Sequence, residues 1–318
     1  MIEEYPWLRE TYQSLQKSIK EHKSSHALLI QGDNGIGRLV LAKALSNTFL
    51  GFNETDDSEA KDEIIITSLM NEKSKTKRVI GIDQIKLLKK SLLLTSLKGK
   101  GKVGIIYQAE RMTGDAFGSL LKILEEPPKD TMIILVAESS GKLPKTIVSR
   151  SQIINCMHPS HKESMRWLMA REDNDWDPVL SIFGNRPLLI DEMGSEYLEN
   201  QINALSSEIT GLIEGEIKPS EISWKNEDIE INLRILYSWI FKYLEIRLLQ
   251  GNVDQNLPIG LSRMLNKNVN YESCFKLIDE ITKLKELNYI GRALVWDMHV
   301  TKLLNPLFIE MSGMKEYV

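Results

Sequence analysis

The stretch that most restricts the fold is a short apolar segment that leads into a glycine-rich turn and then a helical pattern. The apolar segment is Ala27 to Ile30, and the turn contains Gly32, Gly35 and Gly37. In this arrangement the backbone N–H groups at the start of the helix surround the phosphates of a nucleotide. The stretch therefore predicts a strand, a phosphate-binding loop and a helix, as in an α/β domain built on a parallel sheet.

The loop lacks the residues that act on a bound nucleotide. A working loop has Lys and then Ser or Thr after its last glycine, because the ammonium reaches the phosphates and the hydroxyl holds Mg²⁺. Here Arg38 and Leu39 follow Gly37. The planar guanidinium of Arg38 does not replace a compact ammonium at a crowded phosphate, and Leu39 has no oxygen to offer a metal.

A second position shows the same loss. Enzymes with this loop carry an Asp at the end of a neighbouring strand to hold Mg²⁺, usually beside a Glu that activates water. The apolar strand that begins at Val103 brings Tyr107 and Gln108 to those positions, and Glu110 lies two residues further on. We therefore predict a degenerate, non-hydrolysing nucleotide site formed by Gly32, Gly35, Gly37 and Arg38.

The pattern of elements changes along the chain. Up to about residue 158, strand candidates alternate with helices, which is typical of a parallel sheet with crossover helices. Later residues show helical periodicity only. We predict three domains, at residues 1–158, 159–205 and 206–318. The predicted strands are Ala27 to Ile30, Glu63 to Thr67, Lys102 to Tyr107, Met132 to Val136 and Gln152 to Asn155.

Charge is distributed unevenly. Residues 1–158 contain 23 Lys and Arg against 19 Asp and Glu, a net of +4, and the remaining residues contain 17 against 25, a net of −8. The basic excess lies at residues 73–78 and in a run between residues 86 and 102. Such a run is usually a solvated face, and the functional alternative is contact with the phosphates of nucleic acid. The candidate contacts are Lys86, Lys89, Lys90, Lys98, Lys100 and Lys102.

The two cysteines indicate neither a disulfide nor a metal centre. Cys156 and Cys274 lie far apart, with no CxxC pair and no His at ligand spacing. We expect both to be small core residues, and we expect no zinc. The sequence also lacks the roughly 18 consecutive apolar residues of a membrane-spanning helix, and its acidic start does not resemble a secretory signal. A cytoplasmic protein with no membrane partner is the expectation.

Residues 113–152 carry the pattern of a known family. They include LLKILEEPP at residues 120–128 and LPKTIVSR at residues 143–150. This stretch is similar to the core of the clamp-loader subunits of bacterial DNA polymerase III, which are members of the AAA+ class. The opening YPWL at residues 5–8 and SHALLI at residues 25–30 resemble the subunit of that family that does not hydrolyse ATP. The resemblance covers residues 1 to about 158, and beyond that it is architectural.

The resemblance implies a fold and a set of partners. The fold is an AAA+ P-loop domain, then a small helical lid and an all-α C-terminal collar. The partners are motor subunits of the gamma or tau type, which bind ATP, and a delta subunit, together in a hetero-pentamer. Through that complex the chain meets a sliding clamp and primer-template DNA. No cofactor of its own is implied.

The resemblance also implies a role for one arginine. In this family the Arg of a Ser-Arg-Cys motif enters the ATP site of the adjacent motor subunit as an arginine finger, where it stabilises charge that develops during phosphoryl transfer. Here the motif is Ser149-Arg150-Ser151. The Arg is kept and the Cys is not, so Arg150, with Ser149, is the predicted finger. The alternative for Arg150 is an ordinary intramolecular ion pair.

Other family positions depart from the pattern. The four-cysteine zinc module found after the loop helix in many members would fall at residues 53–62, where there is no Cys. The polar sensor after the fourth strand is replaced by Ala137 and Glu138. Arg186 lies one residue early for the second sensor, and it is equally consistent with a surface or packing residue.

Two other readings of the sequence remain open at this point. The chain is a divergent active ATPase if Arg38 and Glu110 replace the usual pair, although neither Leu39 nor Tyr107 supplies a metal ligand. It is a freestanding nucleic-acid-binding module if its basic runs bind DNA alone, although its net charge of −4 and the absence of interleaved aromatic residues in those runs count against this.

Overall fold

The computed structural model describes residues 2–52, 64–68, 79–94, 101–248, 259–267, 269–290 and 295–312. It divides into two compact units. The first unit comprises Met1–Trp167 and Asn185–Leu189, and the second comprises Leu168–Gly184 and Ile190–Val318. The first unit extends past the boundary predicted at residue 158, and the segment predicted as a separate lid contributes to both units.

The first unit is built on a sheet of five parallel strands in the order β2-β3-β4-β1-β5. Each predicted strand is confirmed, with ends that differ by at most one residue. The central strand β1 pairs with β4 on one side and with β5 on the other, so that Ile30 lies opposite both Val136 and Ile154. The strands are β1 Ala27–Gln31, β2 Ile64–Thr67, β3 Lys102–Tyr107, β4 Thr131–Ala137 and β5 Gln152–Asn155.

Helices cover both faces of this sheet, which explains why the central strands are apolar at nearly every position. Successive side chains of a strand point to opposite faces. Leu29 and Ile133 therefore belong to a core with α3 and α4, whereas α2 contacts β1, β3 and β4. The helices that begin in this unit are α1 Arg9–Lys20, α2 Arg38–Leu50, α3 Ile82–Leu93, α4 Gly114–Glu125, α5 Lys145–Val148 and α6 His161–Met169.

The ends of two helices follow from local chemistry. The hydroxyl of Thr113 accepts a hydrogen bond from the backbone N–H of Ala116, which caps the start of α4. Pro127 and Pro128 follow its end, as predicted. The predicted helix from residue 82 to 97 is shorter in the structure, because Leu94 has extended backbone angles and ends α3. The residues after Leu94 lie outside the described segments up to residue 100.

The described part of the second unit contains helices without strands, as the periodicity predicted. Its buried side chains include Trp176, Trp239 and Cys274, and the buried hydroxyl of Tyr243 donates to the carbonyl of Val269 at 2.6 Å. Cys156 of the first unit is also buried, so the prediction of two core cysteines is confirmed. The helices are α7 Asp177–Phe183, α8 Pro187–Met193, α9 Ser195–Glu214, α10 Ile229–Leu248, α11 Ile259–Lys267, α12 Tyr271–Ile290 and α13 Trp296–Ser312, and α8 begins in the first unit.

Among the helices of the described segments, none is long and apolar enough to cross a membrane.

Candidate functional site

The predicted phosphate-binding loop lies between β1 and α2, as expected. Gly35 and Gly37 have φ angles of +85° and +97°, a region that residues with a Cβ rarely adopt. Both glycines also pack closely. A Cβ on Gly35 would lie 2.4 Å from the Cβ of Leu189, and a Cβ on Gly37 would lie 2.8 Å from the Cδ1 of Leu8. The two glycines are therefore required by the conformation and packing of this chain itself, with or without a nucleotide.

The loop backbone is engaged by groups of the same unit. The indole N–H of Trp7 donates to the carbonyl of Ile36 at 2.8 Å, in a buried position. The backbone N–H of Leu188 donates to the carbonyl of Gly35 at 3.1 Å, and the N–H of Gly32 donates to the carbonyl of Glu138 at 3.2 Å. These bonds hold the loop in shape from three separate parts of the chain.

A carboxylate lies within the loop. Asp33 accepts a hydrogen bond from the guanidinium of Arg186, and the Nε2 atom of His158 lies 3.4 Å from the same carboxylate. From the sequence, Arg186 was either a sensor or a surface or packing residue. In the structure it forms an ion pair with Asp33 of the loop. The negative charge of Asp33 repels a triphosphate. Its ion pair with Arg186 also engages an arginine that would otherwise attract one.

Arg38 is buried beneath the loop, with only 4% of its surface exposed. Its Nη1 atom and the Oε2 atom of Glu110 are buried, and neither has a hydrogen-bond partner within the described segments. Burial raises the pKa of the Glu110 carboxyl above its ordinary value, and the nearby charge of Glu138 raises it further. Hydrogen bonds from the backbone and the positive charge of Arg38 lower it. Arg38 is thus a buried positive charge that acts on Glu110.

Burial also raises the pKa of the Cys156 thiol to about 12, although the charge of Arg38 acts in the opposite direction. The thiol therefore stays protonated at neutral pH, as is typical of a buried core cysteine. No group of three or more His, Cys, Asp or Glu side chains suited to a metal ion occurs in the described segments. The family's zinc position at residues 53–62 lies outside them.

The end of β3 does not fit a magnesium nucleotide. Tyr107 donates from its hydroxyl to the side-chain carbonyl of Asn34 at 3.4 Å, so a phenol stands where the metal-binding Asp is expected. The next residue, Gln108, has a φ angle of +58° and begins a turn. Leu39 after the loop supplies no hydroxyl, and Tyr107 supplies no carboxylate. The residues present do not form a site for Mg²⁺ and a triphosphate.

Arg150 lies just after α5, in a separate part of the first unit. Its Nη1 atom donates to the carbonyl of Thr146 at 3.1 Å and to the hydroxyl of Ser149 at 3.4 Å. Its Nη2 atom lies 2.8 Å from the Oε1 atom of Glu125, at the end of α4, and its side chain is 39% exposed. The intramolecular ion pair foreseen as the alternative is therefore present, on a guanidinium that also faces solvent.

The basic run divides into three groups. Lys86 and Lys90 are exposed on α3, and Lys89 is half-buried on the same helix. Lys86 lies 3.8 Å from Asp83. Lys102 is buried, and its ammonium donates to the carbonyl of Ser91 at 3.1 Å, so the structure does not support its selection as a contact for DNA phosphates. Lys98 and Lys100 lie outside the described segments, as do residues 73–78.

Comparison with known proteins finds similarity to one family over part of the chain. A family model described as DNA polymerase III, delta subunit, matches residues 7–160. The chain is 28% identical over 217 residues to DNA polymerase III subunit delta′ of Haemophilus influenzae, covering 63% of this chain and 65% of that protein. It is 34% identical over 150 residues to the delta′ subunit of Bacillus subtilis, covering 44% of each. Over this stretch the chain is similar to DNA polymerase III delta′ subunits.

The matches leave part of each relative uncovered. The chain spans about two thirds of the H. influenzae delta′ subunit and less than half of the B. subtilis one. A crystal structure of a DNA polymerase III gamma subunit-related protein from Thermotoga maritima superposes with a TM-score of 0.52 and 21% identity, covering 95% of this chain and 98% of that one. This similarity supports the predicted fold class, an α/β domain on a parallel sheet followed by helices.

The sequence did not identify the partners in two contacts of this chain. One is the pairing of Asp33 with Arg186, and the other is the pairing of Glu125 with Arg150. Both join residues that are distant in sequence, so helical or strand periodicity carries no signal for them. The signal that could have indicated these contacts is an acidic residue at a position where a negative charge is unfavourable. Asp33 lies in a loop that receives phosphates in working sites, and Glu125 ends a helix, where a negative charge is unfavourable.

The first prediction concerns Glu110→Gln. For a carboxyl whose pKa is higher in the folded state than in the unfolded state, stability is greatest at low pH and falls as the pH rises through the folded pKa. The variant has no such charge. Relative to the parent chain, it should therefore gain stability as the pH rises from 4.5 to 7.

Urea unfolding at several pH values measures this difference. Glu10→Gln, on the exposed face of α1, is the matched control and should show no comparable trend. A constant difference between parent and Glu110→Gln across this range would contradict the burial of a charged Glu110.

Proposed function

We propose that this chain is a non-hydrolysing subunit of the clamp loader of DNA polymerase III. In that complex it supports the ATP-dependent loading of a sliding clamp onto primed DNA, and it supplies Arg150 to the ATP site of a neighbouring motor subunit. The proposal also includes motor subunits of the gamma or tau type and a delta subunit as partners. The delta′ names of its relatives favour this role over a freestanding DNA-binding module.

The observation that carries the proposal is the state of the phosphate-binding loop. The loop keeps the backbone shape of a nucleotide site, but it contains the carboxylate of Asp33 and is followed by Leu39. Tyr107 occupies the position of the metal-binding Asp. A chain with these three features has a structural role in an assembly of ATPases, and it does not hydrolyse ATP itself.

Arg150 is suited to act outside its own domain. It follows a short helix at the surface, and its only ionic partner among the described residues is the exposed Glu125. Exposed ion pairs contribute about 0–1 kcal/mol. A triphosphate in a desolvated site attracts a guanidinium more strongly, because charge interactions strengthen where water is excluded. The finger is therefore able to leave Glu125 for a neighbouring ATP.

The helices of residues 206–318 are proposed to join the chain to the ring. Phe241 on α10 and Phe275 on α12 are large apolar side chains that are more than half exposed in the isolated chain. Tyr237 stacks on Phe241. Aromatic residues are enriched at protein interfaces, so this surface suits contact with neighbouring subunits.

Lys86 and Lys90 are proposed to contact the DNA backbone. Both are exposed on α3, and contacts of this kind read charge without reading sequence. Lys89, which is half-buried, is proposed as a weaker contributor. Lys98 and Lys100 remain candidates from the sequence alone.

The second prediction is that the isolated chain does not bind magnesium ATP. A site with a Kd of about 10 μM would stabilise the fold by about 2.7 kcal/mol at 1 mM nucleotide. We expect no shift in thermal unfolding and no heat of binding by calorimetry under these conditions. A motor subunit measured in parallel serves as the positive control. Saturable binding with turnover would instead establish the divergent ATPase.

The third prediction concerns Arg150→Ala in a reconstituted complex. We expect assembly to be unchanged and the clamp- and DNA-stimulated turnover at the adjacent ATP site to fall about 100-fold, because a group that stabilises transition-state charge is lost. The whole complex keeps the turnover of its other sites. Steady-state phosphate release measures the effect.

Arg166→Ala is the matched control, because Arg166 is an exposed arginine on α6. The complex with this variant should hydrolyse ATP at the parent rate. Normal hydrolysis by the Arg150→Ala complex would refute the finger assignment.

The fourth prediction concerns the double variant Lys86→Ala and Lys90→Ala. Binding of primed DNA by the complex should weaken, and the slope of log K against log salt concentration should decrease in magnitude by about 2. Fluorescence anisotropy across a salt series measures both quantities. Lys17→Ala with Lys20→Ala removes two exposed lysines from α1 and controls for total charge. Equal slopes for the two double variants would exclude a specific contact by α3.

A further inference from the structure

The guanidinium of Arg150 is held on two sides. Its Nη1 atom donates to the carbonyl of Thr146 and to the hydroxyl of Ser149, both within its own turn. Its Nη2 atom is 2.8 Å from Glu125, which belongs to a different helix. Ser149 in turn donates to Thr146 at 3.2 Å. The side chain is therefore fixed by α5 at one nitrogen and by α4 at the other.

Glu125 lies where a carboxylate is electrostatically unfavourable. It is the last residue of α4, and the C-terminal end of a helix carries partial negative charge. Glu126 follows it directly, so two acids lie side by side at this end. The positive charge of Arg150 offsets this repulsion at Glu125. The same guanidinium would leave two acids uncompensated if it moved into another subunit.

A carboxylate and a triphosphate compete for the same nitrogen. Arginine binds carboxylates and phosphates through the same N–H groups, and Nη2 faces Glu125 in this chain. The pair is weak, because the two side chains are 39% and 50% exposed. It is strong enough to bias the position of Arg150 and too weak to hold it against a fully charged ATP site.

We propose that Glu125 is a positioning residue that withholds Arg150 from the neighbouring ATP site until the ring closes on clamp and DNA. This inference rests on the proposed function, because it assigns a regulatory partner to the predicted finger. Removal of the charge at Glu125 should release the finger early. The complex would then hydrolyse ATP without its normal stimulus.

The test is ATP hydrolysis by the reconstituted complex, measured alone and with clamp and primed DNA. Glu125→Gln keeps the shape of the side chain and removes its charge. An exposed ion pair biases an equilibrium by about two- to fivefold, so the unstimulated rate should rise by that factor. The stimulated rate should change little, because the finger is already engaged. The ratio of the two rates should therefore fall.

Glu126→Gln is the matched control, since it removes the same charge one residue away at an exposed position. It should leave the ratio unchanged. Glu125→Gln combined with Arg150→Ala should behave like Arg150→Ala alone, since Glu125 acts through Arg150. An increased unstimulated rate in the double variant would overturn the inference, as would an unchanged or lowered unstimulated rate in Glu125→Gln.

Failure of this inference is distinguishable from failure of the proposed function. If Arg150→Ala hydrolyses ATP normally, the finger assignment and the role of Glu125 are both wrong. If Arg150→Ala is impaired while Glu125→Gln matches the parent complex, the finger stands and Glu125 is only a surface partner.

Discussion

The pairing of β1 with both β4 and β5 is the constraint on which the other features of the first unit depend. It places the loop after β1 beside Glu138, which follows β4, and beside Cys156 and His158, which follow β5. Parallel strands end at the same edge of a sheet, so all of these groups meet there. Arg150 comes immediately before β5, and its position is set by the same strand.

This arrangement accounts for a loop that keeps its glycines without the residues of catalysis. Gly35 and Gly37 are required because a side chain would collide with Leu189 and Leu8. Lys and Ser or Thr are required only by a nucleotide and its metal. In their absence Asp33 pairs with Arg186 inside the loop. Arg186 is therefore engaged by a carboxylate of the loop and is not available to an anion there.

The parts of the structure that depend on local pattern were predictable, and those that depend on distant partners were not. All five strands followed from apolar runs, and the end of α4 followed from Pro127 and Pro128. The burial of Lys102 was missed because the sequence does not distinguish a buried lysine at the start of a strand from a lysine exposed to solvent. Its contact with Ser91 depends on how α3 lies against β3. For the same reason, the sequence located Arg150 by its motif and did not indicate Glu125.

The proposed loss of hydrolysis and the proposed role of Arg150 as an arginine finger place different demands on the same sheet. Metal chemistry depends on Leu39 and Tyr107, which would have to be oxygen ligands, and substitution there leaves the buried strands intact. The position of Arg150 depends on how α5 and β5 lie relative to α4, and this follows from the core that contains Ile147, Ile123 and Leu124. A chain can therefore lack the metal ligands of a nucleotide site without moving Arg150. It cannot lose the packed sheet without displacing Arg150, so under the proposed function the fold is retained even where the nucleotide site is inactive.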